Sequence, residues 1–351
     1  TTTIAGKYGL PLGQDGFLTT SFQIRQADDT SRTEQRPDAA ALIAAGNTAV
    51  ASPAQIWGAP KIDDDVTFFM NAGVNNSDGS ESYMFGNYSE RDVDGGFYYR
   101  NPDGRDGVFT NPVDDVDKRL VGNIDGTCQY GTGTSQAIDP ADYAARDAIM
   151  ADPSCFLLNQ VAPGGYTPRF LGNITDTSLT IGRRGDISNG ILNGYSYDVS
   201  GSVGRNEARF GLNNTVNPSM GLDTPRNFDT GAYVELEKTF NFDLIKQVDS
   251  MTIAYGAEWR EETFEVVSGE EASWKAGKYA LQGFNVGSHG FAGFSPDSQG
   301  SFTRRSYGLY ADIENQVSDE LLLGGAFRYE DYSSFGDTND FKLKARYQLN
   351  E

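Results

Sequence analysis

Chemistry in this 351-residue chain has few places to reside. The single histidine, His289, lies in the Gly-rich stretch "NVGSHGFAGF", which reads as loop surface rather than as a catalytic base. "EWREE" offers Glu258, Glu261 and Glu262, the residue types of a glycosidase pair. On a strand, however, Glu258 and Glu262 share one face with Arg260 between them, which points to charge balance on a wet surface. The acidic runs "IDDDV" and "DDVDK" lack the D-x-[DN]-x-[DN]-G spacing of a calcium loop and read as solvated charge. No G-x-S-x-G elbow, H-E-x-x-H pair or Cys/His metal set occurs, so no catalytic residue, metal site or cofactor is expected. Aromatics beside a cation are more suggestive. "GGFYYRNPDGRDG" places Phe97, Tyr98, Tyr99 and Arg100 just after a strand-like segment, and Trp274 and Tyr279 sit in another long connection. Such residues suit a sugar or an anionic chelate through stacking and charge-assisted hydrogen bonds, with ordinary loop packing as the competing reading.

The elements that would position them alternate with period two. Phe341, Leu343, Ala345, Tyr347 and Leu349 interleave with Lys342, Lys344, Arg346 and Gln348, giving one apolar and one cationic face. Arg305, Tyr307, Leu309, Ala311 and Ile313 oppose Arg304, Ser306, Gly308, Tyr310, Asp312 and Glu314 in the same way. Comparable runs cover residues 195–204, 232–242 and 251–260, and weaker ones residues 4–12, 17–27, 66–75, 81–90, 177–184 and 321–331. That makes about eleven strands, most near the roughly 9–11 residues of a tilted membrane strand. The links alternate in length. "GQDG", "NSDGS", "ISNGILN", "LIKQVD" and "VSD" are short turns, whereas residues 28–65, 91–176, 209–230 and 267–303 are long excursions and 332–340 a shorter one. Short turns on one edge and long loops on the other mark an up-and-down outer-membrane barrel.

Magnitudes choose the solvent for each face. A Lys or Arg facing lipid near the midplane costs roughly 2–4 kcal/mol, so Lys342, Lys344 and Arg346 must face a watery lumen. Tyr195, Tyr197, Trp259, Tyr307, Tyr329 and Tyr347 then fall outside, where interfacial aromatic girdles belong. The fold class expected is therefore all-β: an antiparallel up-and-down transmembrane β-barrel. No run approaches a membrane helix, and a net charge of −21 argues against nucleic acid as a partner. The two cysteines, Cys128 and Cys155, are read as a disulfide in preference to free thiols, because the rest looks extracytoplasmic. "RPDAAALIAAGNTAV" and "DPADYAARDAIMADPS" read as short loop helices, the second with Asp139 as N-cap and Pro140 in its first turn.

"GFLTTSFQIRQADDTSRTEQRPD", "YSYDVSGSVGRNEARFGLNNTVNPSMG", "YGAEWREETFEV", "FSPDSQGSFTRRSYGLYADIE" and "FRYEDYSSFGDTNDFKLKARYQL" resemble the barrel of TonB-dependent outer-membrane receptors, the large iron-complex-receptor-like members in particular. The resemblance implies energised uptake, across the outer membrane of a Gram-negative bacterium, of a scarce bulky nutrient. A ferric siderophore or other metal chelate, haem, cobalamin or an oligosaccharide is the cargo implied. It also implies outer-membrane lipid around the barrel and TonB as a partner reached through a plug and N-terminal segment. Neither plug nor TonB box is recognised here, and about eleven strands is half the family's 22. The expectation is thus an incomplete, open barrel that cannot transport alone, with its first and last strands unpaired. A passive porin is the alternative, followed by a secreted β-rich enzyme or adhesin.

Overall fold

In the computed structural model, which describes residues 1–130 and 138–349, eleven strands form one antiparallel sheet. In chain order they are β1 (Thr2–Leu12), β2 (Gly16–Ala27), β3 (Lys61–Asn75) and β4 (Glu81–Gly96), then, after four short loop strands, β9 (Arg169–Ile187), β10 (Tyr195–Asn213), β11 (Phe228–Val248), β12 (Met251–Ser268), β13 (Gly300–Gln316), β14 (Leu321–Tyr332) and β15 (Gly336–Tyr347). The short strands are β5 (Thr110–Val113), β6 (Val116–Arg119), β7 (Gly122–Asn123) and β8 (Cys155–Phe156). Every member of the large sheet pairs with its neighbour in sequence, β4 with β9 across the longest loop, and β1 and β15 are not paired to each other. The expected meander and its open edges are both present.

Strands are longer than their apolar patterning suggested, from 11 residues in β1 to 21 in β11. On β10 the face carrying Tyr195, Tyr197, Val199 and Val203 continues with Arg205, Glu207 and Arg209. On β12 the face carrying Met251, Ile253, Tyr255, Ala257 and Trp259 continues with Glu261. The ladder runs on while side-chain polarity changes, and backbone hydrogen bonds are indifferent to that change. The long links are correspondingly shorter than expected: residues 28–60, 97–168, 214–227 and 269–299.

Two links need correction. "LIKQVD" is mostly strand, because β11 pairs with β12 as far as Val248↔Met251 and leaves only Asp249 and Ser250 in the turn. The excursion expected at residues 332–340 is a three-residue turn between Tyr332 and Gly336. Tyr332 and Phe335 stack across it at 4.4 Å, and Gly336 supplies the positive φ (90°) that such a hairpin requires.

Register sorts the side chains onto two faces. One carries Leu309, Leu343, Ile181, Ile253 and Tyr307 and is largely exposed. The other carries ion pairs and close ring-on-backbone packing. Arg260 lies within 4.0 Å of Glu237, Glu258 and Glu262; Arg328 reaches Glu258 (3.2 Å) and Glu330 (2.8 Å); Arg304 reaches Glu262 (2.6 Å). Glu258 and Glu262 therefore balance arginines, while Glu261 stands on the opposite face between Lys238 and Arg305. Beside this ladder, Tyr310 lies over its cross-strand partner Gly256 and donates to Asp243 (2.7 Å), and Tyr83 lies over Gly182 and donates to Asp198 (2.6 Å).

A Cβ on Gly256 would fall 1.8 Å from Tyr310 Cε1, so the ring could not stay. Gly256→Ala is expected to displace Tyr310, lose its bond to Asp243 and cost about 1–3 kcal/mol. Urea unfolding in detergent micelles measures this. Adding Tyr310→Ala should remove most of the extra penalty, since the two changes share one contact. Equal stability of Gly256→Ala and the parent protein would refute the packing described.

Candidate ligand site beneath the loops

Most of the deeply buried side chains lie in the loops, joined by Leu212, Thr230 and Ala232 at the loop-proximal ends of β10 and β11. Phe109, Leu120, Phe156, Val216, Tyr279 and Phe284 form a core drawn from three of the long loops. A second core joins Ala39 and Leu42 of helix α1 (Pro37–Ala44) to Val50, Ala54 and Tyr99. A third surrounds a disulfide between Cys128 and Cys155 (Cα–Cα 5.1 Å) and includes Ile149 of helix α2 (Tyr143–Ala151). The N-cap of α2 is Asp142, whose carboxylate accepts from Ala145 N (2.9 Å), rather than Asp139. Asp139 instead closes the preceding turn, its carboxylate accepting from Ala141 N and its carbonyl from Asp142 N. Closing 27 residues, the disulfide removes about 3.5 kcal/mol of loop entropy from the unfolded chain. Arg119, fully buried on β6, binds Asp103 (3.0 Å), Asn159 (3.2 Å) and the Pro140 carbonyl, fastening the approach to α2.

Beneath this cap the polar face of the sheet turns aromatic. Phe170 (β9), Phe210 (β10), Tyr233 (β11) and Phe264 (β12) stand near the loop-proximal ends of four consecutive strands, and Phe291 and Phe294 descend on them from the last long loop. Their centroids form a chain: Phe170–Phe210 5.7 Å, Phe210–Tyr233 5.7 Å, Tyr233–Phe264 5.4 Å, Phe210–Phe291 5.7 Å and Tyr233–Phe294 4.7 Å. All six rings are partly exposed. The shelf is an apolar surface on a face that elsewhere carries carboxylates and guanidinium groups. No residue in it was singled out from the sequence. The available signal was four neighbouring strands acquiring an aromatic at the polar parity, visible only once the strands are aligned.

The residues that were singled out are dispersed. Phe97 joins the shelf through Phe170 (5.8 Å). Tyr98 is exposed and lies 5.1 Å from Trp57, a second exposed ring. Tyr99 is buried against α1, donating its hydroxyl to the Gly164 carbonyl (2.7 Å). Trp274 is half-buried and donates to the Gly269 carbonyl (3.2 Å). Tyr279 is 1% exposed and stacks on Phe156 at 4.9 Å, packed inside the loop core instead of lining an opening. Arg100 is likewise buried.

His289 corrects the reading of a loop-surface residue: it is 8% exposed. Its backbone NH bonds Val216, its carbonyl accepts from Thr215 Oγ1 (2.5 Å), and its ring meets Tyr166 and Arg105. Arg105 Nε donates to Nε2 (3.3 Å), and an arginine can only donate. Nε2 is therefore unprotonated, and Nδ1–H points at the Tyr166 oxygen (2.8 Å). A neutral ring fits its surroundings, since burial, followed by the charges of Arg100 and Arg105, pushes its pKa down to about 3.

Because the unfolded histidine titrates near 6.5 and the folded one near 3, the unfolded chain holds more protons in between. Stability from this group is fully present above pH 6.5 and is lost progressively as pH falls toward 3. Limited proteolysis of the loops across that window should show increasing cleavage. His289→Gln should flatten the part of the profile due to this group, and an unchanged profile would show that His289 contributes nothing to it.

No family model matches the sequence, and comparison with curated proteins returns no match. Solved structures do match the fold. A mutant of the ferric enterobactin receptor PfeA from Pseudomonas aeruginosa superposes with a TM-score of 0.51 at 10% identity, covering 99% of this chain and 39% of that one. The siderophore receptor PirA from Acinetobacter baumannii gives 0.50 at 12% identity, covering 99% and 38%. At such identities the likeness concerns architecture alone, and this chain spans about two fifths of those receptors' length. Eleven sequentially paired antiparallel strands, long loops packed over one end of the sheet and these superpositions together show that the chain has the β-barrel fold of those siderophore receptors, open between β1 and β15.

Proposed function

We propose that this chain is the ligand-capturing barrel portion of a Gram-negative outer-membrane receptor that takes up a scarce, bulky nutrient with energy delivered through TonB. The observation that carries this reading is the division of the sheet into an exposed apolar face and an ion-paired face that leads to an aromatic shelf under packed loops. On β12 the outward apolar run, Met251 to Trp259, spans nine residues before Glu261, matching the roughly 9–11 residues with which a tilted strand crosses a bilayer. The apolar face then meets lipid, the long loops lie outside the cell and the ion-paired face lines the lumen. Cargo contacts fall on the shelf with Phe97, on Tyr98 with Trp57, and on Trp274. Rings of this kind suit the flat faces of a chelate, a macrocycle or a sugar. Ferric siderophores lead among the candidates because the proteins sharing the fold include receptors described as binding ferric enterobactin.

Radiolabelled iron uptake under iron starvation tests the reading. Deleting the gene should abolish uptake of one ferric siderophore, and a TonB-deficient strain carrying the intact gene should fail equally. In the purified full-length receptor, Phe210→Ala combined with Tyr233→Ala should weaken cargo binding about tenfold or more, at roughly 1–3 kcal/mol for lost ring contacts, while the barrel remains folded. TonB-independent uptake together with steady ion conductance in a planar bilayer would instead identify a porin.

A further inference from the structure

Most arginines of the sheet are compensated: among the described residues all but Arg25 and Arg346 pair with carboxylates, Arg260, Arg304, Arg305 and Arg328 among them. Among the same residues, four arginines in the loops are not: Arg32, which stands apart, and three that lie together. Arg100, Arg105 and Arg226 form no ion pair among the described residues, in a chain whose net charge is −21. They converge from two loops on Tyr166 and His289. The backbone of Arg100 pairs with that of Tyr166, and Arg100 Nη2 approaches Gly290, next to His289, to 3.9 Å from the position a Cβ would take. Arg105 donates to His289, and the guanidinium of Arg226 sits 5.6 Å from the Tyr166 ring centroid. Arg226 is anchored by the Val161 carbonyl (3.3 Å) and Asn214 Oδ1 (2.6 Å), both neutral.

Arg100 stands out. It is only 6% exposed, and its Nε is buried with no hydrogen-bond partner. A buried cation without an anion is strongly disfavoured, more so beside other cations. His289 does not relieve it, because its Nε2 lone pair already receives Arg105. Planar guanidinium groups are matched to oxyanions, which accept several forked N–H donors at once. Arg105 is exposed and Arg226 partly so, leaving the cluster open toward solvent on one side.

We infer that Arg100, Arg105 and Arg226 form a binding site for a compact oxyanion, either free in solution or as a phosphate or carboxylate group carried by a larger ligand. Tyr166 and the neutral His289 form its floor. The site shares Arg100 with the loop residues considered above but does not depend on transport, so it stands or falls separately from the proposed function.

The purified full-length protein is titrated with inorganic phosphate, and separately with ferric citrate, at matched ionic strength with chloride as the reference. Binding is read by calorimetry and by the thermal midpoint. Saturable phosphate binding that weakens tenfold or more in Arg100→Met and in Arg226→Gln, but not in the sheet variant Arg205→Gln, is the result expected for a free anion. If phosphate is inert while ferric citrate binds and loses tenfold or more in the same two variants, the oxyanion is carried by the larger ligand. Two variants on separate loops guard against one that misfolds, and the heat-induced mobility shift of the barrel on gels reports folding. The inference is overturned if the parent protein binds neither probe beyond chloride, or if both folded variants bind them unchanged.

Discussion

Strand register is the constraint on which the rest of the structure depends. Because successive side chains point to opposite faces, slipping one strand by one residue would exchange its entire apolar and polar sets. On β15 that exchange would move Lys342, Lys344 and Arg346 to the apolar face, and on β12 it would break the cross-strand contacts of Arg260 with Glu237 and of Glu262 with Arg304. The ion pairs are half-exposed, so each contributes modestly to stability. Their larger effect is on specificity, since only one alignment lets Arg304 meet Glu262 and Arg328 meet Glu258 together. Tyr310 over Gly256 and Tyr83 over Gly182 add a steric version of the same constraint, because each ring needs a neighbour without a Cβ directly opposite.

A sheet whose apolar residues face outward has no interior to bury, which explains why the close-packed cores lie among the loops. Those loops have to hold their own shape in water. They do so with the means of a small extracellular domain: a disulfide, three separate apolar clusters and a buried Arg119–Asp103 pair. Val216 and Phe284, from loops far apart in sequence, pack in one core with Phe109, so the loops are tied to one another and not merely to their own strands. That tie places the aromatic shelf and the arginine cluster under a cap of defined shape.

The sheet was legible in the sequence because period-two patterning survives wherever one face is apolar. It fades where the apolar face turns polar, as at Arg205, Glu207 and Arg209, and the strand from Arg209 onward reads as loop. The turn after Tyr332 reads as too long for a different reason: Gly336, Asp337, Thr338, Asn339 and Asp340 are all turn-forming residue types, yet they pair with β14 and leave only Ser333, Ser334 and Phe335 in the turn. The disulfide was legible from compartment alone. Asp142 capping α2 was obscured by an equally plausible Asp139 three residues earlier. Of the aromatics that composition singles out, Phe97 and Tyr98 lie beside other exposed rings, but the shelf itself is not legible, because it is assembled across four strands. The burial of Tyr99, Tyr279 and His289 was out of reach, since loop residues carry no periodicity that reveals which side packs.

The polar face is graded along its length, and the grading bears on how the proposed receptor would handle cargo. At the turn-proximal end it holds tyrosines clamped over glycines; further up come alternating Glu and Arg; nearest the loops come the exposed rings of Phe210, Tyr233 and Phe264. A ligand arriving from the loop side meets stacking surface first and paired charge afterwards. The two edges add a separate demand. β1 and β15 each present one unpaired ladder, and an unsatisfied backbone group in hydrocarbon costs several kcal/mol. On the membrane reading both edges must therefore be covered by further strands, and the lumen those strands would close around is the one into which this graded wall faces.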